Sequence, residues 1–188
     1  MNSDKYHHGN LKEELIEKGL EYIDKYGTEN LSMRKLADSV GVSPAAPYAH
    51  FKNKETFLSD VRDYITDQFY SALKEAYDHC TDPSRILLEL GKSYVLFFYE
   101  NPLYCQFLFS IDSIDIESYP PFVLFKNTAA EVLKRKYSQD VEDHIIHDKV
   151  IALWSLVHGL STAVTIKGVV DTDHLEDEIE RILLSINV

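Results

Sequence analysis

Two cysteines in 188 residues exclude a disulfide framework, and Cys80 and Cys105 match no zinc-ligand spacing. Neither is flanked by a Lys or Arg that would lower its pKa, so both are read as reduced thiols. No run of about 18 uncharged apolar residues occurs, so no membrane-spanning helix is expected. The first residues are charged and polar, without the apolar core of a secretory leader, and a cytoplasmic protein is expected. Internal repeats and low-complexity linkers are also missing. So are a glycine-rich phosphate loop, a nucleophile elbow and a metalloprotease motif. His144 and His147, with Asp143 and Asp148, have no distant ligand to complete a metal site. No enzyme, cofactor or metal is therefore expected. Strand-like alternation with hairpin signals is absent too, whereas helical periodicity covers nearly the whole chain. The fold class expected is all-α.

Charge is unevenly divided. The net charge is −12, yet residues 1–54 hold eight Lys/Arg and eight Asp/Glu, and residues 55–188 hold eleven and twenty-three. The excess negative charge lies entirely in the second part. A neutral head on an acidic body can still place local cations on phosphates, but the body cannot track a nucleic acid over its whole surface.

The head contains the most specific pattern, Leu31 to Leu58. Leu36, Ala37 and Val40 give a short helix one small apolar face. Gly41 follows where a helix stops and the backbone takes a positive φ. Ser43 is placed to cap a second helix, Pro44 stands in its first turn, and Tyr48 and Phe51 return to the apolar face. Two short helices about a Gly-containing turn make a helix-turn-helix, whose second helix enters the major groove of DNA. Arg34, Lys52 and Lys54 are candidate phosphate contacts. Tyr48 and His50 can reach a phosphate or a base edge, with a core role for Tyr48 as the alternative. Ser43, Pro44, Ala45 and Ala46 complete the candidate DNA-binding set. This helix has no Arg, Asn or Gln for bidentate base contacts, which leaves thymine methyls and DNA shape as readouts.

Ser32, Arg34, Leu36, Ala37, Gly41, Val42, Ser43, Tyr48, His50, Phe51, Lys54 and Glu55 resemble, in order and spacing, the DNA-binding end of TetR-family transcriptional regulators. Pro47 departs from the Leu or Ile of many relatives; in the first turns it deletes about one hydrogen bond. Tyr6 to Leu11, Ala45 to Tyr48 and Trp154 to Gly159 (WSLVHG) further resemble the subgroup with a Trp-His-Gly type effector domain. The resemblance implies a homodimer that binds a double-stranded operator and encloses a small effector. It also implies that the effector tilts a connector helix, respaces the two recognition helices and releases DNA.

The expected organisation is a three-helix DNA-binding domain over 1–53, then a helical effector-binding and dimerisation domain over 54–188. A first helix starts at the cap Asn10 and ends at Gly27. A connector runs from Lys54 to about Tyr77, and Asp82-Pro83 opens a helix closed by Asn101-Pro102. After a short apolar piece and a loop over Ser110–Pro121, helices are expected at Phe122–Tyr137, Val141–Lys167 and Leu175–Ile186. The Val141–Lys167 helix has one seam of Ile146, Val150, Leu153, Val157, Leu160 and Val164. A second seam of Ala152, Ser155, Gly159, Ala163 and Ile166 lies nearly opposite. Small residues admit a close partner, so Ala152, Ser155, Gly159 and Ala163 are candidate dimer contacts, with Ile179, Ile182 and Ile186 from the last helix.

Aromatics crowd between Tyr94 and Phe125. Most are expected in the core, and a subset lining an apolar pocket is the alternative. Tyr94, Phe98, Phe107, Phe122, Trp154 and His158 are the candidate effector residues. The chain reads as a ligand-responsive transcriptional regulator, most often a repressor, taking a small apolar or amphipathic effector. The rival is an all-helical binding or scaffold protein whose helix-turn-helix serves protein contacts.

Overall fold

The computed structural model describes residues 11–110, 115–137 and 142–185, and they are helical throughout, with no strand among them. Eight α-helices follow in order: α1 (Leu11–Tyr26), α2 (Met33–Val40), α3 (Lys54–His79), α4 (Ile86–Glu100), α5 (Pro102–Ser110), α6 (Pro120–Tyr137), α7 (Asp143–Ala163) and α8 (Leu175–Leu184). Short 3-10 segments occupy Thr28–Asn30 and Ala46–Ala49. Asn10 and the Tyr6–Asn10 part of the N-terminal resemblance lie outside the described residues, as do Val141 and Ile186. No described helix is long and apolar enough to cross a membrane.

The chain forms two compact units. Among the described residues, one comprises 11–65 with Gln106–Ser110, and the other comprises Thr66–Cys105 with 115–137 and 142–185. The division falls inside α3, so the first three turns of that helix belong to the head rather than to the second domain. In the head, α1 packs on α2 over Leu15, Ile16, Leu20, Leu36 and Ala37, all buried. Gly27 takes φ +82 after α1, a conformation that costs glycine least, so the chain can turn there. Phe51 and Phe57 meet edge to face, 5.1 Å apart, and both are fully buried.

In the second unit, α4 is the central helix, packed against α6, α7 and α8. Its buried Leu90, Tyr94, Val95 and Phe98 come from more than one face, as expected for a helix covered on several sides. Glu180 of α8 accepts from Arg85 at 2.8 Å and from Lys92 at 2.9 Å, which ties α8 to the α4 side.

Several boundaries differ from expectation, and α4 begins at Ile86 rather than at Asp82-Pro83, where the Asp82 side chain instead accepts from the Ser84 N–H and hydroxyl. α6 begins at Pro120 rather than Phe122, because consecutive prolines in a first turn forfeit no helical donor. The apolar piece after Pro102 is itself a helix that runs into the expected loop, up to Ser110. α7 stops at Ala163, short of Lys167. There Thr165 and Ile166 donate to carbonyls only three residues back, the Thr165 hydroxyl bonds the Thr162 carbonyl at 2.8 Å, and Gly168 takes φ +82. β-branched Val164, Thr165 and Ile166 favour this exit, since their side chains crowd the preceding helical turn.

Candidate nucleic-acid interface

The head presents its polar and cationic groups around one short turn. Ser32 caps α2 by accepting from the Lys35 backbone N–H at 3.3 Å. Gly41 closes the helix in the left-handed region, φ +75, and its N–H bonds the Ala37 and Asp38 carbonyls. Val42 N–H adds a second bond to Ala37, 3.1 Å.

The expected recognition helix over Pro44–Phe51 is a 3-10 turn over Ala46–Ala49. Pro47 is the cause. In an α-helix its missing N–H would leave the Ser43 carbonyl unbonded, and its ring would press on that same carbonyl. Ser43 instead accepts from Ala46 at 2.9 Å, and Tyr48 donates to Ala45 at 3.1 Å, both three-residue spacings. His50 and Phe51 then both donate to the Pro47 carbonyl, at 3.0 and 2.9 Å. The tighter winding turns Pro47 inward and leaves Tyr48 57% exposed, so Tyr48 is not on the apolar face.

Every candidate DNA residue is at the surface. Arg34, Ser43, Pro44, Ala45, Tyr48, His50 and Lys52 are exposed, and Ala46 and Lys54 are half-buried. Other head cations are occupied. Lys35 donates to the Asn30 carbonyl at 2.8 Å and lies over the Tyr22 ring, while Lys12 pairs with Asp60 at 2.7 Å. Among the described residues, the ion pairs do not include Arg34, Lys52 or Lys54. Asn53, absent from the candidate set, fixes the next helix. Its side chain accepts from the Thr56 N–H and hydroxyl, each at 2.8 Å. The spacing of Asn53 and Thr56 before an apolar stretch was the available sign of that cap.

Among the candidate effector residues, the second unit brings five together. Tyr94, Phe122 and Phe125 surround Trp154 edge to face, at 5.0, 5.0 and 5.3 Å. The Tyr94 hydroxyl and His158 Nδ1 are hydrogen-bonded at 3.1 Å. Burial pushes the Tyr94 hydroxyl well above its ordinary range and holds the His158 imidazole below its own. Phe98 packs against Tyr94 and Phe69. Tyr94, Phe98 and Phe122 are fully buried, while Trp154 and His158 are half-buried. Phe107 groups with the head unit.

On α7 the larger seam faces inward: Ile146, Val150, Val157, Leu160 and Val164 are buried. Ala152, Ser155 and Gly159 are exposed, Ala163 is half-buried, and a Cβ at Gly159 would meet nothing within 4 Å. On α8, Ile182 is half-buried. Ile179 is 0% exposed and fills its own protomer, which corrects its assignment to a partner-facing seam. Larger apolar side chains exposed on these helices and absent from the candidate contacts are Ile145, Ile151 and Leu184, while Ile166 of the expected seam is 53% exposed but lies past the end of α7.

Residues 15–61 match the model of the N-terminal domain of "Bacterial regulatory proteins, tetR family". That family comprises transcriptional regulators, not enzymes. No curated protein matches the chain. Solved structures share the fold along nearly the whole chain. A protein of unknown function from a Rhodococcus species is 20% identical with a TM-score of 0.73, over 97% of this chain and 96% of that one. The fatty acid degradation regulator FadR from Bacillus halodurans is 15% identical with a TM-score of 0.70, over 94% and 95%. The TetR family transcriptional regulator PfmR from Thermus thermophilus is 18% identical with a TM-score of 0.66, over 91% and 94%. At these identities the likeness shows the fold.

Proposed function

Because its N-terminal domain is that of the tetR family of bacterial regulatory proteins, we propose that this chain is a ligand-responsive transcriptional regulator. In this reading it is a homodimeric, cytoplasmic repressor that a small apolar or amphipathic molecule releases from its operator. The observation that carries the reading is the exposure of Ser43, Pro44, Ala45, Tyr48, Ala49 and His50 on one short turn, flanked by Arg34, Lys52 and Lys54, cations absent from the ion pairs that hold the head. Arg34, Lys52 and Lys54 take phosphates and position the turn, while Ala45, Ala46, Tyr48 and His50 face the bases. In this reading the head unit, which takes in Lys54 and the first three turns of α3, binds DNA, and the second unit binds effector and partner.

In this reading the effector binds at the Trp154–His158 side of the ring cluster, with Tyr94, Phe98 and Phe122 behind it. Trp154 and His158 both engage Tyr94, which supports keeping the resemblance of Trp154–Gly159 to the Trp-His-Gly subgroup in this reading. The exposed small face of α7 supports pairing with a second copy through Ala152, Ser155, Gly159 and Ala163, joined by Ile182. An effector can release DNA only if it binds the non-binding geometry more tightly, since equal affinity for two states shifts neither.

Footprinting on DNA flanking its own gene, with and without candidate effectors, tests the reading. A protected palindrome whose affinity falls with salt is expected, and Lys54→Ala should lower the salt slope by about one unit. Protection that is insensitive to salt, or no protection of any duplex, would favour the scaffold alternative. Trp154 is the sole tryptophan, so its emission should shift when an effector that weakens operator binding is added.

A further inference from the structure

An operator-binding head must still distinguish bases, and the recognition turn leaves few ways to do so. Bidentate readout needs Arg or Lys for guanine and Asn or Gln for adenine. From Gly41 to Phe51 the chain reads GVSPAAPYAHF and holds none of these. Its side-chain hydrogen-bonding groups are the Ser43 hydroxyl, the Tyr48 hydroxyl and the His50 ring, and none of them spans two base atoms as a fork. Arg34 sits on α2 and Lys52 lies past the end of the turn, so neither belongs to the segment itself.

The 3-10 winding arranges what remains. With three residues per turn, side chains at i and i+3 eclipse. Ala45 therefore lines up with Tyr48, and Ala46 with Ala49, while Pro47 is buried on the third side. Ala45, Tyr48 and Ala49 are exposed and Ala46 is half-buried. The apolar surface this segment offers is three methyl groups and one aromatic ring, beside the exposed Ser43, Pro44 and His50. Such small side chains let the turn approach the groove floor closely, and the one major-groove feature they complement is the C5-methyl of thymine.

We propose that this protein recognises its operator through thymine C5-methyl groups, contacted by Ala45, Ala49 and the Tyr48 ring. This rests on the operator-binding reading above. Sequence discrimination then comes from apolar contact at thymines, while Arg34, Lys52 and Lys54 supply affinity without sequence preference.

The test uses the full chain and duplexes enriched by it from a random-sequence library. Each enriched duplex is resynthesised with deoxyuridine in place of thymidine, which removes the methyl group alone. Enriched half-sites should contain thymines, and uracil at the contacted positions should weaken binding about four-fold per methyl, or about fifteen-fold for two. Tyr48→Phe should keep the preference for thymine over uracil, because the ring makes the contact. Ala45→Gly and Ala49→Gly should bring that ratio toward one, and Lys54→Ala should weaken both duplexes alike. The ratio does not depend on the fraction of protein folded. If an enriched duplex binds equally well with uracil throughout, methyl readout is overturned while operator binding stands. If no duplex is enriched over random sequence, the operator reading itself falls, and this inference with it.

Discussion

Gly19→Ala is expected to weaken operator binding without touching DNA. A Cβ at Gly19 would lie 2.3 Å from Phe57 Cζ, 3.0 Å from Cε1 and 3.2 Å from Leu36 Cδ1. Phe57 and Leu36 are both fully buried, so neither ring nor branch has free space to retreat into. Replacing Gly by Ala inside a helix is worth about 0.8–1 kcal/mol in propensity. Overpacking a filled core costs about 1–3 kcal/mol, and a clash with an immobile ring belongs in the upper half of that range. The clash wins, with a net loss of about 1–2 kcal/mol. Its direction matters as much as its size. Phe57 meets Phe51 edge to face, and the Phe51 N–H bonds the Pro47 carbonyl at 2.9 Å. A displaced Phe57 thus pushes on the residue that closes the recognition turn. Urea denaturation followed by circular dichroism should show a lower midpoint for Gly19→Ala, and fluorescence anisotropy should show weaker operator binding. Adding Phe57→Leu removes the clashing Cζ, so the double variant should lose less than the two single losses added together. A raised midpoint for Gly19→Ala, or simple additivity with Phe57→Leu, would refute this packing.

Three further outcomes are expected. Gly159→Leu places a side chain where nothing of the same protomer lies within 4 Å, so monomer stability should hold while sedimentation shows dimer dissociation; a dimer as tight as the parent would put the interface elsewhere. Burial holds the His158 imidazole below its ordinary value of about 6.5, so the unfolded chain takes up that proton first as pH falls. Stability complete above about pH 6.5 should therefore decline below it, and the drop in denaturation midpoint between about pH 7.5 and about pH 5.5 should be smaller in His158→Gln. Equal drops would remove His158 from the acid sensitivity. Hydrogen bonds from Arg85 and Lys92 hold the Glu180 carboxyl below the usual carboxylate range, a contribution present above that range and lost as pH falls through it. Glu180→Gln should lower the denaturation midpoint at low salt, with the deficit shrinking at high salt; a deficit independent of salt would mean that shape rather than charge ties α8 to α4.

Local rules made the helical plan legible. Gly27 and Gly41 end helices as expected, Gly41 with the expected positive φ, and the larger seam is buried apart from half-buried Leu153 while the small seam is exposed apart from half-buried Ala163. What was not legible depended on competition between neighbouring signals. Ser43 and Pro44 start a helix well, but Pro47 three residues later denies it an α-helical second turn, and the two effects settle on a 3-10 segment. That change rotates Tyr48 out of the core, which helical periodicity alone would not indicate. Ile179 shows the same limit in another form. Its spacing fits one stripe with Ile182, yet α8 packs on α4, and only the packing tells which edge of a stripe is covered by its own protomer.

The proposed effector site was harder to read, because a core aromatic and a pocket-lining aromatic have the same sequence signature. Exposure and ring contacts separate them. Phe98 lies 4.6 Å from Phe69 and 5.3 Å from Tyr94 and is fully buried, so a ligand taking its place would forfeit packing of the order that large aromatic truncations lose, about 3–5 kcal/mol. Trp154 and His158 are only half-buried and can move with a smaller loss. Effector entry in the second unit is therefore expected beside Trp154 and His158, with Tyr94 exchanging its hydrogen bond to His158 for one to the ligand. His158→Ala should then reduce the effector response more than it reduces operator affinity. If it lowers only the melting temperature and leaves the response intact, His158 is a core residue and the site must be sought on another face of α4.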